Sequence, residues 1–254
     1  METLIILFGL AWGSFLNVVI YRLPLGMNII RPSSSCPACR KRIRVINNIP
    51  VVSFLLLRGK CSYCKTQISF RYPLVEIITP LVFILLYSHY SFSLHFFTSC
   101  LFATAMILLA FIDLDHQILP DEITLPGLLL SLAYALFRPD LTLRQSLISA
   151  VCGAGFLLFI YGAYYLLRRK EGLGMGDVTL MLLIGSYLGL GGTILTLIVS
   201  SFTGAVVGII VILLKKKDMQ FALPFGTFLA PAAFFSLVWG ERILSWYLSL
   251  YQNI

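Results

Sequence analysis

Gly172-Leu-Gly-Met-Gly-Asp177 is a glycine-rich turn that ends in an acid and is followed directly by a long apolar run. A second acid, Asp113, stands at the end of another apolar run. Carboxylates at membrane depth are costly and rare, so each marks a candidate functional site. If folding brings the two acids together, they can share one proton and activate one water molecule. The two stretches therefore predict a membrane-embedded aspartic protease.

The composition is that of a polytopic membrane protein. Of the 254 residues, 59% are hydrophobic and 12% are charged, whereas a soluble domain is typically about 25% charged. The net charge of +8 could suggest nucleic-acid binding. The basic residues instead cluster beside apolar runs, which is how membrane proteins set their orientation. We therefore expect the lipid bilayer as a partner, and no nucleic acid.

The apolar runs predict an all-α fold with about eight transmembrane helices, because each run approaches the roughly 20 residues that one crossing needs. The runs lie at residues 3–21, 73–87, 94–112, 123–137 and 145–167, on either side of a glycine-rich break at 189–192, and at 223–250.

The basic residues predict the orientation of these helices. Residues 22–71 contain ten Lys and Arg and no acid. By the positive-inside rule this loop is cytoplasmic and the N-terminus lies outside. Basic clusters at 168–170 and 215–217 predict two further cytoplasmic loops. Counting crossings then puts Asp113 and Asp177 on the same, cytoplasmic, side.

The cytoplasmic loop carries two cysteine pairs, Cys36-Pro-Ala-Cys39 and Cys61-Ser-Tyr-Cys64. Two such pairs at this separation are typical of a structural zinc site with four thiolate ligands. Redox-active or disulfide pairs are the alternative, but disulfides seldom persist in a reducing cytoplasm. The sequence therefore favours zinc.

Three features distinguish Asp177 and Asp113 from the other acids. Gly174 and Gly176 remove side chains where a substrate backbone would approach Asp177. Asp177 opens a helix and Asp113 closes one, so the helix dipoles favour charge on Asp177 and the shared proton on Asp113. Asp115 is the nearest rival of Asp113.

The other polar groups of the segment that follows Asp113 have simpler explanations. Asp121 and Glu122 stand at a helix start, where capping is the expected role. His116 is expected to be solvated or locally bonded.

The chain resembles the bacterial prepilin peptidases, or type 4 prepilin leader peptidases, which are GxGD-type membrane aspartic proteases with an N-methyltransferase activity. The resemblance rests on motifs spread over most of the chain: Gly13-Ser-Phe-Leu-Asn-Val-Val-Ile-Tyr-Arg-Leu-Pro24, the two Cys-x-x-Cys pairs, Asn48-Ile-Pro50 with Ser53, Leu57-Arg-Gly-Lys60, Ile68-Ser-Phe-Arg-Tyr-Pro-Leu-Val-Glu76, Asp113 to Asp121, and Gly174-Met-Gly-Asp177.

The resemblance implies an activity and its residues. Members cut the leader from type IV prepilins or prepseudopilins at the cytoplasmic face of the inner membrane. They then methylate the new N-terminal amine with S-adenosylmethionine. By motif position the catalytic acids are Asp113, seven residues before Pro120, and Asp177. Glu76 is a candidate for the methyl-transfer site. Members often have lysine where this chain has Thr179.

The resemblance also implies two domains, an N-terminal region with the zinc loop at residues 1–95 and a peptidase domain at 96–254. Three alternatives remain open at the level of sequence. The chain could be a protease without methyltransferase activity, a zinc-regulated transporter whose acids carry protons, or a membrane scaffold without chemistry. A transporter would have its acids deep within the crossings, and a scaffold would tolerate Asp177→Asn.

Overall fold

The computed structural model is all-α. It describes residues 1–31, 33–169, 174–215 and 224–252. Gly172 of the glycine-rich turn, and Lys170, Lys216 and Lys217 of the basic clusters, lie outside these ranges. The α-helices of the described part are α1 (Glu2–Arg22), α2 (Val52–Leu56), α3 (Arg71–Tyr90), α4 (Leu94–His116), α5 (Asp121–Tyr134), α6 (Leu143–Arg168), α7 (Met175–Lys215) and α8 (Gly226–Gln252).

The chain forms two compact units, Met1–Cys100 and Leu101–Ile254. In the first unit, α1 and α3 pack against each other at close range. A Cβ added at Gly9 would lie 2.6 Å from the Cα of Pro80, and one added at Gly13 would lie 2.9 Å from the Cα of Glu76. Small residues let helix backbones approach in this way inside membranes.

In the second unit, α7 is the central helix and contacts α5, α6 and α8. A Cβ on Gly185 would meet the carbonyl oxygen of Ser149 at 2.6 Å, so α6 and α7 also touch through their backbones. Ser186 adds polar links, since its hydroxyl donates to Ser131 of α5 and its carbonyl accepts from Ser146 of α6. Such hydrogen bonds between helices stabilise packing where water is excluded.

Gly189 divides α7 into two helical arms, because its backbone angles (φ 72°, ψ 178°) are not helical. At about 1.5 Å per residue, a straight helix of this length would reach about 60 Å, twice the thickness of a bilayer core. Gly153 of α6 contacts Met181 from the first arm and Thr193 from the second. The predicted break between two apolar runs at 189–192 therefore coincides with a turn between two arms.

Among the described residues, five helices are long and apolar enough to cross a membrane: α1, α3, α4, α6 and α7. The expected fourth crossing is the 14-residue α5, which is short for a full span. The expected last crossing, α8, has 27 residues and includes Glu241 and Arg242. The all-α membrane fold is confirmed, with five such helices where the sequence predicted about eight crossings.

The prediction for the end of α4 was wrong. We expected the third run to stop at Ile112 and Asp113 to close the helix, but α4 continues to His116. Polar residues at the end of an apolar run keep their helical hydrogen bonds. Gln117 ends the helix instead, with a positive φ of 56°. Asp113 therefore lies within α4 and not at its end.

Candidate active site and metal centre

Asp113 lies about one turn before the end of α4 and is buried, with 5% of its surface exposed. Its Oδ2 accepts two hydrogen bonds from Thr227 at the start of α8, from the backbone nitrogen at 2.7 Å and from Oγ1 at 3.1 Å. The first N–H groups of a helix have no partner within that helix, so they are free to bind a carboxylate. The start of α8 thus holds the Asp113 carboxyl group.

Asp177 lies in the first turn of α7 and is 6% exposed. Its Oδ2 accepts a hydrogen bond from the backbone nitrogen of Gly174 at 3.2 Å. Its Oδ1 is fully buried and receives no hydrogen bond within the described chain. A buried oxygen of this kind is costly unless it serves a purpose, such as binding a reacting molecule.

The start of α8 connects the two carboxyl groups. A Cβ on Gly226 would lie 2.9 Å from Oδ2 of Asp113, so that carboxylate occupies the space beside the glycine. The backbone amide of Gly226 also faces the carboxyl group of Asp177. The structure therefore brings together Asp113 and Asp177, which are 64 positions apart in the sequence.

Leu119, in the short connector between α4 and α5, completes this packing. A Cβ added at Gly176 would lie 2.8 Å from the Cβ of Leu119. A Cβ added at Gly226 would lie 2.9 Å and 3.0 Å from the two methyl groups of Leu119. Glycine at 176 and 226 lets the starts of α7 and α8 close around this side chain. Gly174 is exposed and stands beside the Asp177 carboxyl group.

The neighbouring acids do not share this environment. Asp115, the rival of Asp113, is exposed, as is His116. Asp121 and Glu122 are exposed in the first turn of α5, where a negative charge favours the helix dipole. Among these four neighbouring acids, Asp113 is the one that is buried, and its carboxyl group lies against the start of α8.

Gly226 and Thr227 were missed by the sequence analysis. The only local signal was Pro224-Phe-Gly226, a proline and a glycine immediately before an apolar helix. Such a pair predicts a helix start but says nothing of a carboxylate 114 positions away.

The four predicted cysteines, Cys36, Cys39, Cys61 and Cys64, converge in the first unit with their sulfur atoms within 4.8 Å of one another. The sulfurs of Cys36 and Cys64 are 3.7 Å apart. Four sulfurs at about 2.3 Å from a tetrahedral zinc ion would be separated by about 3.8 Å. All four cysteines are free thiols, which disfavours the disulfide alternative. The cluster fits a zinc site with four thiolate ligands.

Each cysteine pair forms the same turn. A bridge between Ser35 and Arg42 closes the first, and one between Lys60 and Gln67 closes the second. The residue after the second cysteine of each pair has a positive φ, 58° at Arg40 and 60° at Lys65. The two turns are therefore equivalent knuckles, each presenting two sulfurs.

The surroundings of the sulfurs differ. The hydroxyl and backbone of Thr66 lower the pKa of Cys64 to about 6. The backbone N–H of Cys39 lowers the pKa of Cys36, but burial and the thiols of Cys61 and Cys64 raise it to about 11. Thr66 therefore stabilises the thiolate form of Cys64, which is the form that binds a metal.

Glu76 lies on α3 and is 8% exposed. Its Oε2 accepts a hydrogen bond from the backbone nitrogen of Val51 at 2.7 Å, and the hydroxyl of Ser14 also bonds its carboxylate. These contacts tie the cysteine loop to α1 and α3. The bonds from Val51 and Ser14 show that the carboxylate of Glu76 has structural partners. Its role in methyl transfer stays a prediction.

Comparison with known proteins gives two family models. The bacterial peptidase A24 N-terminal domain matches residues 7–90, and the type IV leader peptidase family matches residues 100–209. A prepilin leader peptidase/N-methyltransferase of Aeromonas salmonicida is 37% identical, with 97% of this chain and 94% of the relative covered. The chain belongs to the type IV leader peptidase family.

Other members of the type IV leader peptidase family are similarly close. A protein of the same name from Pseudomonas aeruginosa is 38% identical over 96% of this chain and 92% of its own. One from Legionella pneumophila is 33% identical over 97% and 94%. No solved structure matches the chain significantly. The leader peptidase model includes Asp113 and Asp177, and the N-terminal model includes the cysteine cluster and Glu76.

Proposed function

We propose that this protein cleaves the leader peptide from type IV prepilins or prepseudopilins and then N-methylates the new N-terminal residue. The observation that carries the proposal is the pair of buried acids, Asp113 and Asp177, joined by the start of α8. The names of its relatives, prepilin leader peptidase/N-methyltransferase, support the same activity.

In the proposed reaction, Asp113 and Asp177 hold a water molecule between them. The ionised acid removes a proton from the water as its oxygen attacks the scissile carbonyl carbon. The protonated acid donates its proton to the carbonyl oxygen. When the C–N bond breaks, the leaving amine takes the proton that came from the water, and one hydroxyl of the tetrahedral intermediate returns its proton to the other acid as the carboxyl group forms. The pair then again holds one proton, as at the start.

Hydrogen bonding favours the opposite assignment of the shared proton from the one expected from the helix dipoles. Two donors from Thr227 stabilise negative charge on Asp113. Asp177 accepts a hydrogen bond from the backbone of Gly174 and faces the backbone amide of Gly226, but its buried Oδ1 has no donor among the described residues, which suits the protonated acid. We therefore assign the charge to Asp113 and the proton to Asp177, as a preference of the pair rather than of either group alone.

Gly174 and Gly176 support the site in different ways. Gly174 is exposed and supplies the N–H that holds Asp177. An extended substrate backbone can approach it because no side chain intervenes. Gly176 is the contact surface for Leu119.

We further propose the topology and domains. Counting α5, α8 and both arms of α7 as crossings gives eight in all, with the N-terminus outside and the acid pair and cysteine loop on the cytoplasmic side. The division of the chain between Cys100 and Leu101 supports a boundary near residue 95 between an N-terminal region and a peptidase domain.

The cofactors follow from the same proposal. Zinc would be held by Cys36, Cys39, Cys61 and Cys64 in a structural role, since four sulfurs leave no open position. S-adenosylmethionine would supply the methyl group. Glu76 stays a candidate for the methyl-transfer site, near the loop to which it is bonded.

The test is a gel-shift assay of a precursor pilin with purified enzyme in bilayers. Asp113→Asn and Asp177→Asn are each expected to abolish cleavage, because an amide can neither accept the water's proton nor return it. Asp115→Asn is the matched control, since the same change is made two residues away on an exposed side chain. Full cleavage by either Asn variant of the pair would refute the assignment.

A protease without methyltransferase activity is the alternative, since the contacts of Glu76 account for its burial without methyl transfer. Mass spectrometry of the cleaved pilin after incubation with S-adenosylmethionine separates the two functions. A mass increase of one methyl group supports the bifunctional enzyme.

A further inference from the structure

An exposed apolar surface stands out in the first unit. It is formed by the 3₁₀-helix Val45–Asn48 and by α2, between the two cysteine knuckles. Six side chains make it, and we call them the apolar foot: Val45 (88% exposed), Ile46 (71%), Ile49 (45%), Val52 (48%), Leu55 (66%) and Leu56 (78%). Contiguous exposed apolar surface of this kind marks an interaction site.

The charge around the apolar foot indicates the kind of surface that it meets. Arg44, Arg58 and Lys60 flank it and are exposed. The whole segment from residue 22 to residue 71 has no acid to neutralise them. Apolar side chains bordered by basic ones are the pattern of segments that lie in the interface of a membrane with anionic lipids.

The structure also fixes the height of the apolar foot relative to the membrane helices. Val51 donates its N–H to Glu76, which lies on the second turn of α3. Phe54 of α2 packs edge-on against Phe70, directly before α3 begins, with ring centroids 6.4 Å apart. The segment is therefore held beside the first turns of a helix that is apolar enough to span the bilayer.

The backbone at Val51 is strained, which indicates that surrounding contacts hold the segment beside the start of α3. Val52 N donates to Pro50 O at 2.6 Å, and Val51 has φ 61° and ψ −49°. This is a γ-turn of the rare, strained kind, here centred on a β-branched residue. Strain of this type persists only where surrounding contacts over-determine it, and the buried carboxylate of Glu76 supplies such a contact.

We propose that the apolar foot inserts into the headgroup region of the leaflet that surrounds the start of α3, with its basic neighbours on anionic lipid headgroups. The proposal does not depend on the peptidase activity, because it concerns only the contacts of residues 45–56.

The test uses the full-length protein in lipid nanodiscs and a photoreactive residue. Leu56→p-benzoylphenylalanine is compared with Lys65→p-benzoylphenylalanine, which places the same group at an exposed position on the second knuckle. The probe lipids are phosphatidylcholine alone and phosphatidylcholine mixed with phosphatidylglycerol. Lipid adducts are counted by mass spectrometry, and retained cleavage of a precursor pilin shows that each variant is folded.

We expect roughly tenfold more lipid adduct at position 56 than at position 65, and an increase with phosphatidylglycerol, because anionic lipids attract the basic border. In the mixed lipid, changing Arg44 and Arg58 to Gln should remove this increase. Equal lipid adducts at the two positions would overturn the proposal, as would adducts at position 56 with a second copy of the chain or with the pilin. An adduct yield unaffected by phosphatidylglycerol would overturn the choice of an anionic surface.

Discussion

At the scale of single residues, Gly226 is the glycine that directly borders the carboxyl group of Asp113 in the proposed active site. A Cβ there would lie 2.9 Å from Oδ2 of Asp113 and equally close to Leu119. We predict that Gly226→Ala lowers cleavage of a precursor pilin by about tenfold or more, equivalent to about 1.4 kcal/mol of transition-state stabilisation, because the carboxylate must move.

The matched control is Gly155→Ala on α6, where a Cβ would meet nothing within 4 Å. It should leave kcat/KM unchanged. Cleavage by Gly226→Ala at the rate of this control would show that the Asp113 carboxylate can shift without loss of function.

The sequence could identify some residues of this site and not others, for a physical reason. Asp113 and Asp177 could be identified because charged groups in apolar runs are rare and costly. Gly226 and Thr227 could not, because their roles arise from contact with a residue more than 100 positions away. The helix dipoles could be predicted from the sequence, but the donors that α8 supplies to Asp113 could not, so the proposed proton assignment differs from the expected one.

At the scale of the elements, the turn inside α7 depends on Gly189. Its angles (φ 72°, ψ 178°) fall in a region that is essentially restricted to glycine. We predict that Gly189→Ala destabilises the protein by about 1–3 kcal/mol. The measurement is thermal unfolding of the detergent-solubilised protein.

Gly162→Ala serves as the comparison, because Gly162 lies within α6 and has open space around its Cα. This change is expected to be neutral or stabilising by up to about 1 kcal/mol. Equal melting temperatures for the two variants would show that alanine can adopt the turn and that the two arms do not require glycine.

Helix positions were predicted better than helix ends. The break at Gly189 was visible as a cluster of glycines between apolar runs. The end of α4 was misplaced because Asp113, Asp115 and His116 are polar, and polarity does not by itself stop a helix. α4 ends at His116, four residues before Pro120, and proline has no N–H to bond the carbonyl of that residue. The positive φ of Gln117, which directs the chain away from the helix, could not be predicted from the sequence.

At the scale of the whole molecule, the cysteine cluster and the second unit should respond differently to loss of metal. The loop of residues 22–71 has little regular structure, and its knuckles are joined through the four sulfurs. We predict that chelation opens this loop, because metal binding supplies its folding free energy. Limited trypsin digestion should then cut among its ten basic residues while a fragment containing α4 to α8 survives.

Cys64→Ser should make the loop sensitive to trypsin without a chelator, whereas Cys100→Ser, in α4, should not. A loop that resists trypsin after complete removal of zinc, measured by elemental analysis, would show that the knuckles fold without the ion.

The membrane class, the cysteine cluster and the acid pair could all be predicted at this scale, since each depends on composition or spacing. The number of full spans could not be predicted in the same way. α5 is short and α8 contains the charged residues Glu241 and Arg242, and the apolar content of a run measures neither feature.

Leu119 couples positions that are far apart in the chain. Its side chain occupies the gap that glycine leaves at 176 and at 226. A smaller residue at 119 would remove the methyl groups that border 226, but it would keep the Cβ that lies 2.8 Å from a side chain at 176. A library that diversifies 119, 176 and 226 together is therefore expected to retain glycine at 176 and to admit alanine at 226 only beside a smaller residue at 119.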